Sequence, residues 1–192
     1  MSMDELLGYA ANRSLVRIQR KHPSDPDIRG YVLRASEVLC LLRPLHDFIP
    51  DGYAVIRNSS IMTIDRHKND EFWERVMVRE GLAHDPETEE KIDLRSMKRA
   101  VLSAHNAFGR LIIECEDEDE DIQDFYIGSL VNIDDETLRF DHFDTCGRWE
   151  REPSRIEIDD ISKIQIETPY CKTFWKYLER GAPNASNAHP AG

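Results

Sequence analysis

The chain lacks the features that identify membrane-spanning and exported proteins. No apolar run approaches the ~20 residues that a membrane helix requires, and residues 1–13 do not show the basic-then-apolar order of a secretion signal. The four cysteines include no Cys-x-x-Cys pair, so neither a redox pair nor a zinc knuckle is indicated. These absences predict a cytoplasmic protein with reduced thiols and no membrane contact.

The common signatures of catalysis are missing as well. The chain contains no Gly-x-Ser-x-Gly, no Gly-x-x-x-x-Gly-Lys and no Gly-x-Gly-x-x-Gly motif, so the usual hydrolase, P-loop and dinucleotide sites are not indicated. Its seven histidines form no His-x-x-x-His pair of the kind that binds zinc on one helix face. We therefore expect a protein that is not an enzyme and that has no catalytic, cofactor-binding or metal-binding residues.

What the chain does contain is an internal repeat with a period close to one hundred residues. Residues 30–33 (Gly-Tyr-Val-Leu) return as residues 128–131 (Gly-Ser-Leu-Val), and the Ile-x-x-Ile of residues 61–64 returns at residues 161–164. A Phe-Trp pair and a following glycine recur too, as Phe72-Trp73 with Gly81 and as Phe174-Trp175 with Gly181. Because their order is kept, we expect one packing arrangement to be formed twice.

The repeat predicts four segments. Residues 1–82 form a first unit with a helix at each end, and residues 83–109 contain a polar linker and a connecting helix. Residues 110–181 form a second, acidic unit with a C-terminal helix, and residues 182–192 form a disordered tail. The two Phe-Trp pairs are predicted to be buried at equivalent places between helix and strands; exposed platforms for base stacking are the alternative.

Charge is distributed unequally between the two units. Residues 1–113 carry 17 acidic and 17 basic side chains, whereas residues 114–160 carry 18 acidic and 4 basic ones. The net charge of −12 therefore comes from the second unit. That unit should repel a nucleic-acid backbone, and the first should not.

The densest acidic stretch holds seven carboxylates in the eight residues 114–121. Three aspartates alternate over residues 117–121 as calcium ligands do, but Ile122 and Gly128 occupy the places where a calcium loop has glycine and glutamate. A solvated hairpin tip is the interpretation that we favour. A metal-assisted hydrolase using the acidic second unit stays as an alternative function.

The local patterns predict strands in both units. Residues 14–66 and residues 110–167 consist of short apolar runs broken by turn residues, which is typical of strands. Ser2 and Glu5 fit a capping box that opens a helix as far as about Ala11. Further helices are predicted to start near Asn69, Asp93 and Thr168.

A glycine in the long second strand and a tight link before the last strand describe a small SH3-type barrel, and one motif points to a family. Residues 55–61 (Val-Ile-Arg-Asn-Ser-Ser-Ile) resemble the hydrophobic-hydrophobic-Arg-Gly-x-x-hydrophobic motif of the Sm-like (Lsm/Hfq-type) proteins. Asn58 replaces the glycine, and asparagine tolerates a left-handed backbone. The resemblance implies a mainly β fold with helices: two tandem Sm/SH3-like small β-barrels joined by an amphipathic helix.

The other motif of that family places Asp after the strand glycine and Asn four residues later. Here Ser36 and Cys40 occupy those places after Gly30, and Asp134 and Leu138 occupy them after Gly128. Neither unit keeps the complete set that reads uridine-rich RNA in the family.

Three functions follow from these expectations. The first is a non-enzymatic assembly or adaptor protein that binds itself or a protein partner, because small barrels expose strand edges. An RNA-binding protein using the first unit is the second, with Arg17, Arg34, Arg57 and Asn58 as candidate RNA-binding residues. The third is the metal-assisted hydrolase.

Overall fold

The computed structural model describes residues 2–21, 27–83, 86–116 and 123–178. Within these ranges the chain forms strands, helices and two short 3-10 turns, so the expectation of a mainly β fold with helices is confirmed. The predicted disordered tail and most of the acidic run lie outside the described residues.

The elements follow one another twice in a similar order. The first half contains β1 (Leu15–Arg20), β2 (Asp27–Ala35), β3 (Leu39–His46), β4 (Ile49–Pro50), β5 (Tyr53–Arg57) and β6 (Ile61–Asp65). The second half contains β7 (Leu111–Glu116), β8 (Gln123–Ile133), β9 (Thr137–His142), β10 (Ser154–Glu157) and β11 (Lys163–Ile166). The helices are α1 (Met3–Asn12), α2 (Lys68–Arg79), α3 (Pro86–Glu90), α4 (Met97–Phe108) and α5 (Pro169–Tyr177), and the 3-10 turns are Asn58–Ser60 and Ile158–Asp160.

The strands form one continuous antiparallel sheet, where separate sheets were expected for the two units. The strand order is β10-β9-β8-β7-β11-β5-β3-β2-β1-β6, and the short β4 pairs with β3 alone. With β4 set aside, both halves have the same internal order, which is fifth strand, first, second, third and fourth. The halves meet where β5 pairs with β11, and this contact is called the junction below.

The turn between the second and third strands is built in the same way in each half. The hydroxyl oxygen of Ser36 accepts hydrogen bonds from the backbone N–H groups two and three residues further on, at 3.2 and 3.0 Å. The Oδ1 atom of Asp134 does the same at 2.9 and 2.7 Å. These hydrogen bonds replace the missing strand pairing at the bend, which explains why short polar residues recur there.

A glycine also recurs where the second strand crosses closely over the third. A Cβ atom at Gly30 would lie 2.5 Å from the carbonyl oxygen of Arg43, and one at Gly128 would lie 1.8 Å from that of Asp141. Each strand then shows a register shift, between Val32 and Arg34 and between Leu130 and Asn132. The recurrence of glycine in the sequence therefore reflects a close backbone approach in both halves.

The two faces of the sheet are covered differently. One face has a single shared core to which both halves contribute, and α2 and α4 pack on it through residues such as Met77 and Val101. The other face has two separate cores. Leu6 of α1 packs into the first-half core, and Cys171 of α5 packs into the second-half core. Neighbouring residues of one strand reach opposite faces because side chains alternate along a strand.

The described part of the predicted polar linker contains a short helix, α3, that is packed against the sheet. Thr88 and Glu89 are buried. The Arg34 guanidinium donates hydrogen bonds to the carbonyl oxygens of Glu89 and Ile92 at 2.8 and 2.9 Å, and Arg13 forms an ion pair with Glu89 at 2.8 Å. Arginines of the first half therefore hold this segment against the sheet.

The two Phe-Trp pairs do not occupy equivalent places. Trp73 packs against the shared core, whereas Trp175 packs against the second-half core on the opposite face. Both indole rings are half-buried. The reason is that α1 already covers the first-half core, so α2 must pack elsewhere, while α5 is the helix that covers the second-half core.

Candidate assembly interface

The junction is a four-residue antiparallel strand pair. Residues 53–56 of β5 pair with residues 163–166 of β11, in the register Ile56 to Lys163 and Tyr53 to Ile166. All four paired residues of β5 are buried. Burial on both faces is typical of a strand in the middle of a covered sheet. β5 has this position, with β3 on one side and β11 on the other.

Arg57 joins the two halves at the end of β5. Its guanidinium donates from Nε to the carbonyl oxygen of Ile161 at 2.9 Å, and from Nη2 to that of Ile158 at 2.7 Å. These carbonyl groups belong to the second 3-10 turn and the residue that follows it. The planar fork of arginine thus satisfies carbonyl oxygens that the short turn leaves unpaired.

A second link across the junction is fully buried. Arg20, at the end of β1, forms a paired ion contact with Glu116 at the end of β7, and both side chains are inaccessible to solvent. The hydroxyl group of Ser162 donates to the same carboxylate at 2.5 Å. Burial raises the pKa of Glu116, but the hydrogen bonds from Arg20 and Ser162 outweigh it, so the pKa lies below its usual value.

A third polar contact lies beside these two and connects β11 with β7. The ammonium group of Lys163 lies 3.1 Å from Oε1 of Glu114, and the side-chain amide of Gln165 donates to the same oxygen. Lys163 and Glu114 are both buried. Charged groups are tolerated at such depth when they are paired and hydrogen-bonded, so the junction depends on matched charges.

The sequence analysis did not find these junction residues. Lys163 and Gln165 alternate with isoleucines, which is the usual pattern of a strand with one solvent-exposed face. Arg20 lies in a strand beside other basic residues, and Glu116 lies within the acidic run. Their partners lie 46 to 96 residues apart in the chain, so no local pattern could pair them.

The two outer edges of the sheet correspond in position to the two strands of the junction. β10 precedes the second 3-10 turn as β5 precedes the first, and β6 is the last strand of its half as β11 is of the other. Arg155 and Glu157 stand in β10 where β5 has Val55 and Arg57. They pair with each other at 3.1 Å and are exposed, so β10 presents charged groups at its open edge.

The charges at the outer edges are the reverse of those at the junction. At the junction an arginine reaches a turn that carries Asp159 and Asp160. At the outer edges Glu157 is the residue before its turn, and Lys21 donates its backbone N–H to the carbonyl oxygen of Ser60 in the first 3-10 turn, at 2.9 Å. Lys21 is exposed.

The three candidate RNA-binding arginines lie in three different environments. Arg34 holds α3, and Arg57 spans the junction with 29% of its side chain exposed. Arg17 is exposed and lines an open cleft of about 440 Å³, together with Gln19, Asp27, Ile28, Arg29, Thr63, Asp65 and His67. The cleft has two arginines and two aspartates in its lining, so it is not a uniformly basic surface.

Asn58 has a different conformation from the one that its substitution for glycine suggested. Positive φ angles at described non-glycine residues occur at Arg13, Asp47 and Glu167, so the expectation of a left-handed backbone at Asn58 is wrong. Its side-chain amide donates to the carbonyl oxygen of Ser36 at 2.9 Å, and this hydrogen bond ties the 3-10 turn to the neighbouring strand turn.

Trp73 cannot act as a stacking platform in this arrangement. The ring of Phe48 stacks on it with centroids 4.0 Å apart, and the Arg29 guanidinium lies 3.4 Å from the indole centroid. Two groups this close to one ring must lie on opposite faces, so both faces are covered. Arg29 in turn forms an ion pair with the buried Asp70 at 2.6 Å.

The remaining side chains that could bind a metal or take part in catalysis are scattered. Among the described residues, no three His, Cys, Asp or Glu side chains are grouped as a metal site would need, and no helix is long and apolar enough to cross a membrane. The Nε2 atom of His142 lies 2.9 Å from the hydroxyl oxygen of Ser154. All four thiols are free, and burial raises the pKa of Cys171 to about 11.

Comparisons of the chain with family models, with curated proteins and with solved structures found no match. The interpretation of the junction therefore depends on its own geometry.

Proposed function

We propose that the protein is a non-enzymatic assembly module made of two tandem Sm-like small barrels, and that its copies join end to end. One observation carries the proposal: the junction pairs the fourth long strand of the first half with the fifth of the second. The same pairing leaves the other fourth strand, β10, and the other fifth strand, β6, as the two ends of the sheet. The contact already made inside the chain can thus be repeated between chains.

The charges support pairing of β10 with β6 of another copy. An open strand edge has backbone groups that are ready to pair, and the exposed charges of Arg155 and Glu157 prevent indiscriminate pairing. When β10 is placed beside β6 as β5 is placed beside β11, Glu157 approaches the first 3-10 turn and the neighbouring Lys21. An ion pair between these residues takes the place of the Arg57 contact and orients the two copies.

Such a contact is head-to-tail, because β10 and β6 are different surfaces. A head-to-tail contact forms a closed ring when the rotation between neighbouring copies is a whole fraction of a full turn. Otherwise the copies continue as a filament. A ring and a filament are both suited to an adaptor role. In either assembly the two helix-covered faces of each copy's sheet are free to bind a protein partner.

The test exchanges the charges of Glu157 and Lys21 and measures the molecular mass in solution. Sedimentation velocity over a range of concentrations should show species heavier than the 22.3 kDa monomer for the unchanged protein. E157R and K21E should each reduce association, because each places like charges in contact. The double variant E157R/K21E should restore it.

E150R is the matched control. It makes the same charge change at an exposed residue of the second half outside β10, and it should leave the mass distribution unchanged. A protein that stays at 22.3 kDa at millimolar concentration, or E157R and E150R variants that behave alike, would show that copies do not join through β10.

A further inference from the structure

The second half has an exposed aromatic ridge made of Phe125, Tyr170 and Tyr177. Phe125 lies on β8, and the two tyrosines lie seven residues apart on one side of α5. The Phe125 and Tyr170 rings meet edge to face at 6.2 Å, and Tyr170 contacts Phe174 at 4.9 Å. The three residues are 42%, 48% and 72% exposed, so the ridge is an aromatic surface that the described elements leave open.

The charge around the ridge determines what can bind there. The segment over residues 114–160 has 14 more acidic than basic side chains, and the exposed Asp124 directly precedes Phe125 in β8. The two lysines of α5 are already engaged by groups of the chain itself. Lys172 is held by Glu167 at 2.8 Å, and Lys176 lies 5.4 Å from the Tyr177 ring centroid.

Aromatic rings in a negative field attract cations, because the ring face carries partial negative charge and acidic groups raise the local concentration of positive ligands. Lys176 over Tyr177 is an example within the chain. A nucleic acid would be repelled instead, because its backbone is negatively charged. We propose that the aromatic ridge binds an arginine- or lysine-rich segment of a partner protein.

The experiment uses two labelled peptides and the full chain. A twelve-residue peptide of four Arg-Ala-Leu repeats is titrated by fluorescence anisotropy at low salt, beside a peptide of four Glu-Ala-Leu repeats. We expect saturable binding of the arginine peptide alone. The double variant F125S/Y170S should bind it about tenfold more weakly, since each exposed cation–π contact contributes roughly 0.5–1 kcal/mol.

Two further variants separate the ridge from general effects of charge and folding. F72S removes an aromatic ring of similar exposure, 55%, from the first half and should leave the affinity unchanged. Y177S changes the most exposed ring and is suited to the same test if the double variant unfolds. The proposal is overturned if the arginine peptide does not bind, if the glutamate peptide binds equally well, or if F125S/Y170S or Y177S binds as tightly as the unchanged protein.

Discussion

The two halves of the molecule have the same strand order but are covered by different helices. In the first half the helix before the strands, α1, covers the separate core; in the second half the helix after the strands, α5, does so. The other helix beside each set of strands, α2 or α4, packs on the shared core. The strand frame is fixed by its register, because a one-residue slip would turn the apolar side chains to the other face, whereas any amphipathic helix of suitable length can cover an apolar face.

The halves also differ in what their polar residues do at equivalent positions. Arg57 and Glu157 each precede a 3-10 turn, but Arg57 donates to a carbonyl oxygen of the other half's turn, whereas Glu157 pairs with Arg155 of its own strand. Ser36 and Asp134 both close a strand turn and form the same two hydrogen bonds. Residues that serve a local turn therefore keep their chemistry, and residues at the strand edges diverge because their partners differ.

The largest expected effect concerns the buried ion pair between Arg20 and Glu116, which joins the two halves. Arg20→Ala leaves the Glu116 carboxylate buried without its cation, and we expect the free energy of unfolding to fall by about 3–5 kcal/mol. Chemical denaturation measures it. The double change R20M/E116L should recover most of the loss. The exposed pair gives the control, since Arg155→Ala should cost less than about 1 kcal/mol.

The two tryptophans test the unequal helix placement. Trp175→Ala removes a ring that contacts Trp149 at 5.8 Å and Phe143 at 6.4 Å, and Trp73→Ala removes the ring between Phe48 and Arg29. Each should lower the free energy of unfolding by about 3 kcal/mol, near the lower end for large aromatic residues because both rings are half-buried. Wild-type thermal stability of either variant would show that its helix does not depend on the ring.

The two strand glycines allow a direct comparison of the halves. Gly30→Ala and Gly128→Ala both force a methyl group against a carbonyl oxygen, and overpacking of this kind costs about 1–3 kcal/mol. The loss should be greater at Gly128, where the distance is 1.8 Å against 2.5 Å. Gly8→Ala is the control, because a Cβ there meets nothing within 4 Å. Equal melting temperatures for the two variants would contradict the difference.

The smallest effect is expected at the strand turns and depends on pH. Hydrogen bonds from Thr137 and Glu136 hold the pKa of Asp134 below its usual value. A lowered pKa means that Asp134 contributes stability above its unfolded pKa of about 3.9, and that this contribution is lost as pH falls through the folded value. Asp134→Asn should be less stable than the unchanged protein at pH 7 and nearly equal to it at pH 2. Ser36→Ala should show no such pH dependence, and melting curves at both pH values test the contrast.

The sequence predicts the strands well because each strand has a recognisable pattern within a few residues. Runs such as residues 15–18 and 53–56 alternate or concentrate apolar side chains and end at turn residues, and they appear as β1 and β5. Helix ends are equally local: Ser2 caps α1 through the Glu5 N–H at 3.2 Å, and Gly109 ends α4 with a φ of 70°. The charge of the second half is likewise a property of composition alone.

The packed α3 and the face that each helix covers could not be predicted in this way. Nothing in the local sequence marks Thr88 and Glu89 as buried, since both are polar and the arginines that hold this segment lie more than 50 residues earlier in the chain. α2 and α5 carry the same Phe-Trp pair, yet they pack on opposite faces because α1 covers in the first half the core that α5 covers in the second.

The sequence by itself determined the mainly β fold with helices, the repeat, the turn residues and the unequal charge, because these depend on near neighbours or on composition. Only the tertiary structure decided that the two halves share one sheet through β5 and β11. It also decided that Arg20, Arg57 and Lys163 serve this junction. The physical reason is that a strand edge or a charged side chain acquires its role from the group opposite it, and that group is about 50 to 100 residues away in the chain.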